Sequence, residues 1–354
     1  MKRSPLSISF LLPALLTALS CAPSVYRQVY PQLMDGRYDS EFPYRGCSAE
    51  LEEIGESVKM VNAIAYYRTY TFGAEERITA GGVTAGLLRS SAPRSVMATS
   101  QASGTGTVVA CENRRVVLLT CAHVVGFPDT VTTYHLTPGG KSTGFVHTVS
   151  IKERQTTYVA VFPEGGELEI LAIDRDQDVA LLGKTFDNDP SPRPRVFMYP
   201  AGKAKELEWG SFVYLFGYPS GHKMVTKAIV SSPNKDRKGS FLLDAVLTPG
   251  FSGGIALAVR DGVPNFELVG LVQLVSGRTT YALVPPPEEE GTPDFDTGTP
   301  YRGDVYVQRR TEIEYGIVQT VPVETVLEFI ASHANDLAAR GYSVTFAQPA
   351  HTVQ

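Results

Sequence analysis

Cysteine is scarce, with four in 354 residues; no CxxC pair occurs, and the six histidines (His123, His135, His147, His222, His333 and His351) are dispersed. Structural zinc sites gather these residues at short spacings, so no metal is expected. No stretch offers the ~18 uncharged apolar residues that a spanning helix needs, which excludes a membrane-spanning body. Basic residues form no block either: 32 Lys and Arg stand scattered against 37 Asp and Glu, for a formal charge of −5. Nucleic-acid binding leaves a basic footprint, so no nucleic-acid partner is expected. Gly104-Thr105-Gly106 lacks the third glycine of a nucleotide loop and leads into a strand rather than a helix, so no cofactor is expected. What is present is a 43% hydrophobic, 10% aromatic chain, enough to bury a core and too apolar for wholesale disorder.

The opening MKRSPLSISFLLPALLTALSC has a basic start, an apolar stretch from Ile8 to Leu19 broken by Pro13, and small residues before Cys21. It reads as a secretion signal over residues 1–20. Ala18-Leu19-Ser20-Cys21 resembles a bacterial lipobox, which implies a lipoprotein whose Cys21 carries acyl chains and holds the protein to a membrane of the cell envelope, facing the periplasm. The alternative is an ordinary signal cleaved nearby. With Cys21 consumed by lipid, Cys47, Cys111 and Cys121 remain, and the sequence leaves their pairing open.

Residues 21–47 are rich in Tyr, Pro and Arg without periodicity and read as a tether. Ser48 is a possible N-cap for a helix whose Leu51, Ile54, Val58 and Val61 share a face. Ala63 to Phe72 reads as a strand, and Gly73 to Ser103 as a long surface loop. From Gly104 onward, short Val, Leu, Thr, Tyr and Phe runs alternate with Gly, Pro, Asn and Asp, the texture of an all-β sandwich or barrel. The acidic, Pro-rich stretch between Pro285 and Gly303 cannot continue a ladder and reads as a mobile loop. After YGIVQTV, Pro322 opens a terminal helix carrying Val323, Val326, Leu327 and Ile330 on one face, and residues 333–354 read as a tail.

Three short segments carry chemistry. His123 stands at the exit of an apolar strand in TCAHVV, Asp178 leads into the apolar run DVALL, and Ser252 sits among glycines in PGFSGG. Each alone has a bland structural explanation. Together, in the order His, Asp, Ser and 55 and 74 residues apart, they are the parts of a nucleophilic triad. A serine hydroxyl needs a base to take its proton, and the base needs an anion to hold its tautomer. The glycines let backbone N–H groups converge on a developing oxyanion, with Gly250 and Ser252 as the candidate donors.

With these residues in view, roughly residues 48–332 resemble the trypsin-like, chymotrypsin-fold serine proteases, and within them the HtrA/Deg-like branch. GTGT at 104–107, FGYPSG at 216–221, Asp244-Ala245, GLVQLVSG and the closing YGIVQTVPVETVLEFI add to the likeness, with the GTGT segment read as opening a hairpin. The resemblance implies an all-β fold of two packed six-stranded antiparallel barrels, the first over about 63–185 and the second over about 186–321, with a terminal helix at about 322–332. It implies a serine endopeptidase that acts on protein or peptide substrates through an acyl-enzyme. By the same resemblance Val246 lies at the base of the primary specificity pocket, with Gln273, Leu274 and Val275 along its wall. Cleavage after small or medium aliphatic residues is then expected. Phe251 stands where that branch usually has Asn, Ile255 where Pro is usual, and too few residues follow the terminal helix for a PDZ module. Two other readings compete. Gly250-Phe251-Ser252-Gly253-Gly254 also fits the elbow of an α/β-hydrolase, which requires a helix directly after the serine. Alternatively, the fold serves as a catalytically weak binding or scaffold lipoprotein, which a serine-directed label would separate from a protease.

Overall fold

The structure, a computed structural model, describes residues 35–43, 46–91, 94–137, 141–273, 277–284, 306–313 and 316–347. Helix α1 (Ser48–Ser57) leads directly into strand β1 (Val58–Thr71). Cys47 occupies the cap position without a side-chain bond, so Ser48 is the first helical residue and not the cap. Val58 and Val61, expected on the helix face, begin the strand instead and are fully buried there. A short helix α2 (Ala85–Ser90) precedes β2 (Val96–Glu112), β3 (Arg115–Thr120), the single turn α3 (Ala122–Val125), β4 (Thr130–Leu136), β5 (Ser142–Tyr158), β6 (Glu167–Asp174) and β7 (Val179–Thr185). These strands pair antiparallel in the order β1-β2-β3-β7-β6-β5, and β1 pairs back to β5, closing six strands, with β4 added outside β5.

The stretch expected to be a loop from Gly73 to Ser103 therefore ends in strand, because residues 96–103 pair in continuous register with β1. They escape a pattern search because residues 96–101 are exposed on both faces and lack apolar alternation. GTGT is likewise mid-strand and opens no hairpin. A Cβ on Gly104 would lie 2.6 Å from the Val124 side chain and 2.9 Å from the Ser252 carbonyl, so glycine is required there by close approach.

The second barrel comprises β8 (Phe212–Gly217), β9 (Met224–Ser232), β10 (Phe241–Asp244), β11 (Ile255–Val259), β12 (Phe266–Gln273) and β15 (Val318–Pro322), closed in the order β10-β15-β12-β11-β8-β9. Between β12 and β15 a separate hairpin pairs β13 (Gly277–Val284) with β14 (Tyr306–Ile313). The chain closes with α4 (Val323–Ser332) and α5 (Ala334–Ala339). Val323, Val326, Phe329 and Ile330 bury one face of α4, whereas Leu327 is 36% exposed, one position off the buried stripe. Two six-stranded antiparallel barrels with few helices make the chymotrypsin-like double barrel.

Each barrel is completed by the opposite end of the chain. The second-barrel core takes in Tyr38, Cys47, Ile54 and Val58, and the first-barrel core takes in Val326, Phe329, Ile330, Leu337 and Tyr342. Residues 35–43 are thus docked rather than tethering: the Tyr38 hydroxyl donates to Glu267 Oε2 at 2.7 Å and accepts the Lys203 N–H at 2.8 Å. Arg260 pairs with Glu267 at 3.0 Å and stacks over the Tyr38 ring. The region expected to be a tail likewise holds α5. Cys47, Cys111 and Cys121 are free and buried. Cys21, most of the 21–47 segment, and the 285–303 insertion lie outside the described residues, among which no helix is long and apolar enough to cross a membrane.

Candidate active site

The three candidate triad residues come from three different connections between strands. His123 lies in α3, just past the end of β3, where the strand delivers it at the barrel rim. Asp178 ends the turn between β6 and β7: the Asp174 carboxylate accepts the N–H groups of Asp176 and Gln177, both at 2.9 Å, and the chain then turns through Asp178 at φ +56°. Aspartate tolerates this left-handed conformation better than most residues. Ser252 stands in the tight turn between β10 and β11, where the Gly254 N–H reaches Phe251 C=O at 2.8 Å and Gly250 and Gly253 hold φ of +109° and +82°. A Cβ on Gly253 would lie 2.2 Å from Thr105 C=O and 2.4 Å from Thr120 Oγ1, so the Ser252 turn is pressed against the segment that leads to His123.

Asp178 grips His123 twice. Its Oδ1 accepts the His123 backbone N–H at 2.8 Å, and its Oδ2 meets ring Nδ1 at 2.7 Å. This double contact sets the ring's orientation, and a carboxylate at Nδ1 favours the tautomer with the proton there, which leaves Nε2 free to accept one. The His side chain is 46% exposed and the Asp side chain 8%. Burial pushes the Asp178 carboxyl up, but the hydrogen bond from the His123 ring, the charge of His123, its backbone N–H and a bond from Gln273 together outweigh burial and hold it below the ordinary value. Gln273, at the end of β12, donates Nε2–H to Asp178 Oδ2 at 2.9 Å, a role that the reading of it as pocket wall missed. The only hint in the sequence is one polar residue closing an apolar strand.

Cys121 lies behind this pair. Burial, then the nearby Asp178 charge, push its thiol well up, and the neutral S–H donates to Val272 C=O at 3.4 Å. Among the described residues, the Cys121, His123 and Asp178 donor atoms form the only such cluster, all within 4.8 Å of one another. The His and Asp members are hydrogen-bonded to each other, at 2.7 Å.

At the Ser252 turn, the N–H groups of Gly250 and Ser252 have no acceptor among the described residues. Two free backbone donors flanking a serine fit an oxyanion site. Gly250 must be glycine, since a Cβ there would meet Tyr218 C=O at 2.3 Å. Ser252 is 4% exposed, and among the described residues no hydrogen bond joins it to His123. In unliganded active sites such bonds are often long and tighten only on substrate binding. Phe251 is 3% exposed and packs its ring onto Gly217.

The other expected pocket residues fare unevenly. Val246 is 75% exposed and cannot be the floor of a closed pocket; in this extended segment its neighbours Ala245 and Leu247 take the buried positions, at 6% and 1%. Leu274 and Val275 lie outside the described residues. Ser252 is followed by strand β11, which removes the helix that an α/β-hydrolase elbow requires.

Residues 104–271 match the family model of the trypsin-like peptidase domain, so this segment is similar to that family. Among curated proteins none matches. The crystal structure of the serine endoprotease from Yersinia pestis is similar at 16% identity, over 82% of this chain and 67% of that chain, with a TM-score of 0.39, a likeness too distant to carry an argument.

Proposed function

We propose that the protein is a serine endopeptidase, with Ser252 as nucleophile, His123 as base and Asp178 as the anion that orients it. One observation carries the reading above the others: Asp178 binds both the backbone and the ring of His123, and the nucleophile turn packs on the same segment. In the proposed cycle, His123 Nε2 takes the hydroxyl proton as Ser252 Oγ attacks the peptide carbonyl. The carbonyl oxygen becomes an anion facing the N–H groups of Gly250 and Ser252. His123 then gives the proton to the departing amine, leaving an acyl-enzyme, and water repeats the sequence to release the acid. The test is labelling of the purified protein with a fluorophosphonate, alongside hydrolysis of an unfolded protein substrate. Wild type should label and cleave; Ser252→Ala and His123→Ala should do neither while melting at the wild-type temperature. Hydrolysis by folded Ser252→Ala would refute the assignment.

A protease fold kept as a scaffold is the competing reading, favoured by the burial of Ser252 and the absence of its bond to His123. Wild type that takes no label would select it. For location we propose a lipid anchor at Cys21 in the bacterial cell envelope. Incorporation of labelled fatty acid, lost in Cys21→Ser, is the expected result. A mature N-terminus beyond Cys21 without acyl groups would instead mark an ordinary signal.

A further inference from the structure

Thr105 is fully buried in β2, and no step above uses its hydroxyl. Yet every polar atom of this residue is engaged around the nucleophile turn. Its N–H donates to Ser252 C=O at 2.7 Å, its hydroxyl donates to Gly250 C=O at 2.6 Å and accepts the Tyr218 N–H at 2.9 Å, and its C=O accepts the Thr120 hydroxyl at 2.6 Å. Thr105 belongs to the first barrel; Tyr218, Gly250 and Ser252 belong to the second. We propose that Thr105 is the positioning residue of the oxyanion site, a clamp from one barrel that fixes the peptide planes of the other. This inference rests on the serine peptidase reading.

The turn's own bonds leave the Gly250 carbonyl unheld. Gly250 and Gly253 have no side chains and adopt φ that other residues resist. Apart from the Gly254 N–H to Phe251 C=O bond at 2.8 Å, which lies within the turn, its ties upstream of Ser252 are long: Phe251 N–H to Thr248 C=O at 3.4 Å and Ser220 N–H to Pro249 C=O at 3.3 Å. The Thr105 hydroxyl, by contrast, is a short two-way bridge. By holding Gly250 C=O it sets the plane of the peptide between the two candidate oxyanion donors, and by holding Ser252 C=O its N–H sets the plane just beyond them. The donors themselves are left unpartnered, as a preorganised site requires. The same hydroxyl ties the turn to Tyr218, whose carbonyl is the group that a Cβ on Gly250 would strike.

The experiment compares Thr105→Val, which keeps the shape and removes the hydroxyl, with Thr105→Ser, which keeps the hydroxyl and removes a methyl. Loss of the clamp should lower kcat and kcat/KM together by about 10²-fold with KM unchanged, the pattern of an interaction used only in the transition state. The midpoint of the pH–rate profile should stay at its wild-type value, because the His123–Asp178 pair is untouched. Thr105→Ser should restore kcat to near wild type. If Thr105→Val does not fold, Thr105→Cys replaces it and should fall below Thr105→Ser, thiols being weaker donors. A folded Thr105→Val with wild-type kcat overturns the clamp, as does Thr105→Ser as slow as Thr105→Val, which would assign the loss to packing. Wild type that neither labels nor cleaves overturns the peptidase reading first, and the clamp with it.

Discussion

Adding one methyl group at Gly217 should slow the reaction proposed for Ser252, although position 217 carries no chemistry. A Cβ there would stand 2.4 Å from Cδ1 of Phe251 and 3.0 Å from two further ring carbons. Carbon atoms pack at about 3.5–4.0 Å, so the ring must withdraw by about 1 Å. Phe251 is 3% exposed and hemmed by the second-barrel core, and overpacking of this kind costs about 1–3 kcal/mol. Replacing glycine with alanine returns only about 0.4–1 kcal/mol through the unfolded chain, so the steric cost wins. Phe251 lies between Gly250 and Ser252, and its displacement reaches both oxyanion donors. Misplacement of about 1 Å is worth up to 10²-fold in rate. Gly217→Ala should therefore lower both the melting temperature and the rate of fluorophosphonate labelling. Phe251→Leu shortens the ring and should restore much of both in the double variant, with a coupling energy of about 0.5–3 kcal/mol. Wild-type labelling by Gly217→Ala, or strict additivity in the double variant, would refute this account of Phe251.

Three more outcomes are expected. Asp178→Asn should cut kcat by on the order of 10³–10⁴-fold while the protein stays folded, because the amide favours the wrong imidazole tautomer; a loss under tenfold would contradict the orienting role. Burial, opposed by the Gly262 N–H and reinforced by Asp261, Asp35 and Glu41, pushes the Asp39 carboxyl up to about 6, so its contribution to stability is present below the unfolded value near 4 and is lost as pH rises through 6. Asp39→Asn should accordingly raise the melting temperature at pH 8, by about 1–3 kcal/mol of stability, and change nothing at pH 3.5, as calorimetry at both values will test. Tyr38→Phe leaves Glu267 and the Lys203 N–H without their shared hydroxyl and should cost about 1–3 kcal/mol by denaturant titration without altering kcat.

The second half of the fold was legible because its strands are short, apolar and separated by turn residues, and the candidate triad residues stand out because each sits in a local motif. Helix α1 was found but overrun, since Val58 and Val61 satisfy a helical spacing by coincidence while β1 claims them for the barrel. The exposed half of β2 was missed because its pairing is dictated by register with β1 and not by its own side chains. Gln273, Thr105 and the docked residues 35–43 act through contacts between segments far apart in sequence, over 95 residues for Gln273 with Asp178 and 145 for Thr105 with Gly250. Val246 failed for a simpler reason: in an extended segment, a slip of one residue exchanges the inside for the outside.

The exchange of chain ends between the two barrels has a consequence for the order of events during synthesis. The last strand of the first barrel ends at Thr185, yet Tyr342, whose hydroxyl meets that threonine, lies 157 residues further on. At roughly 5–20 residues per second, the ribosome leaves the first barrel's apolar interior unsealed for about 8–30 s after its last strand emerges. Ser252 is made within that interval, before the residues that close the barrel carrying His123 exist. A stalled or shortened chain can therefore carry His123, Asp178 and Ser252 and still lack the lid on the core that supports two of them.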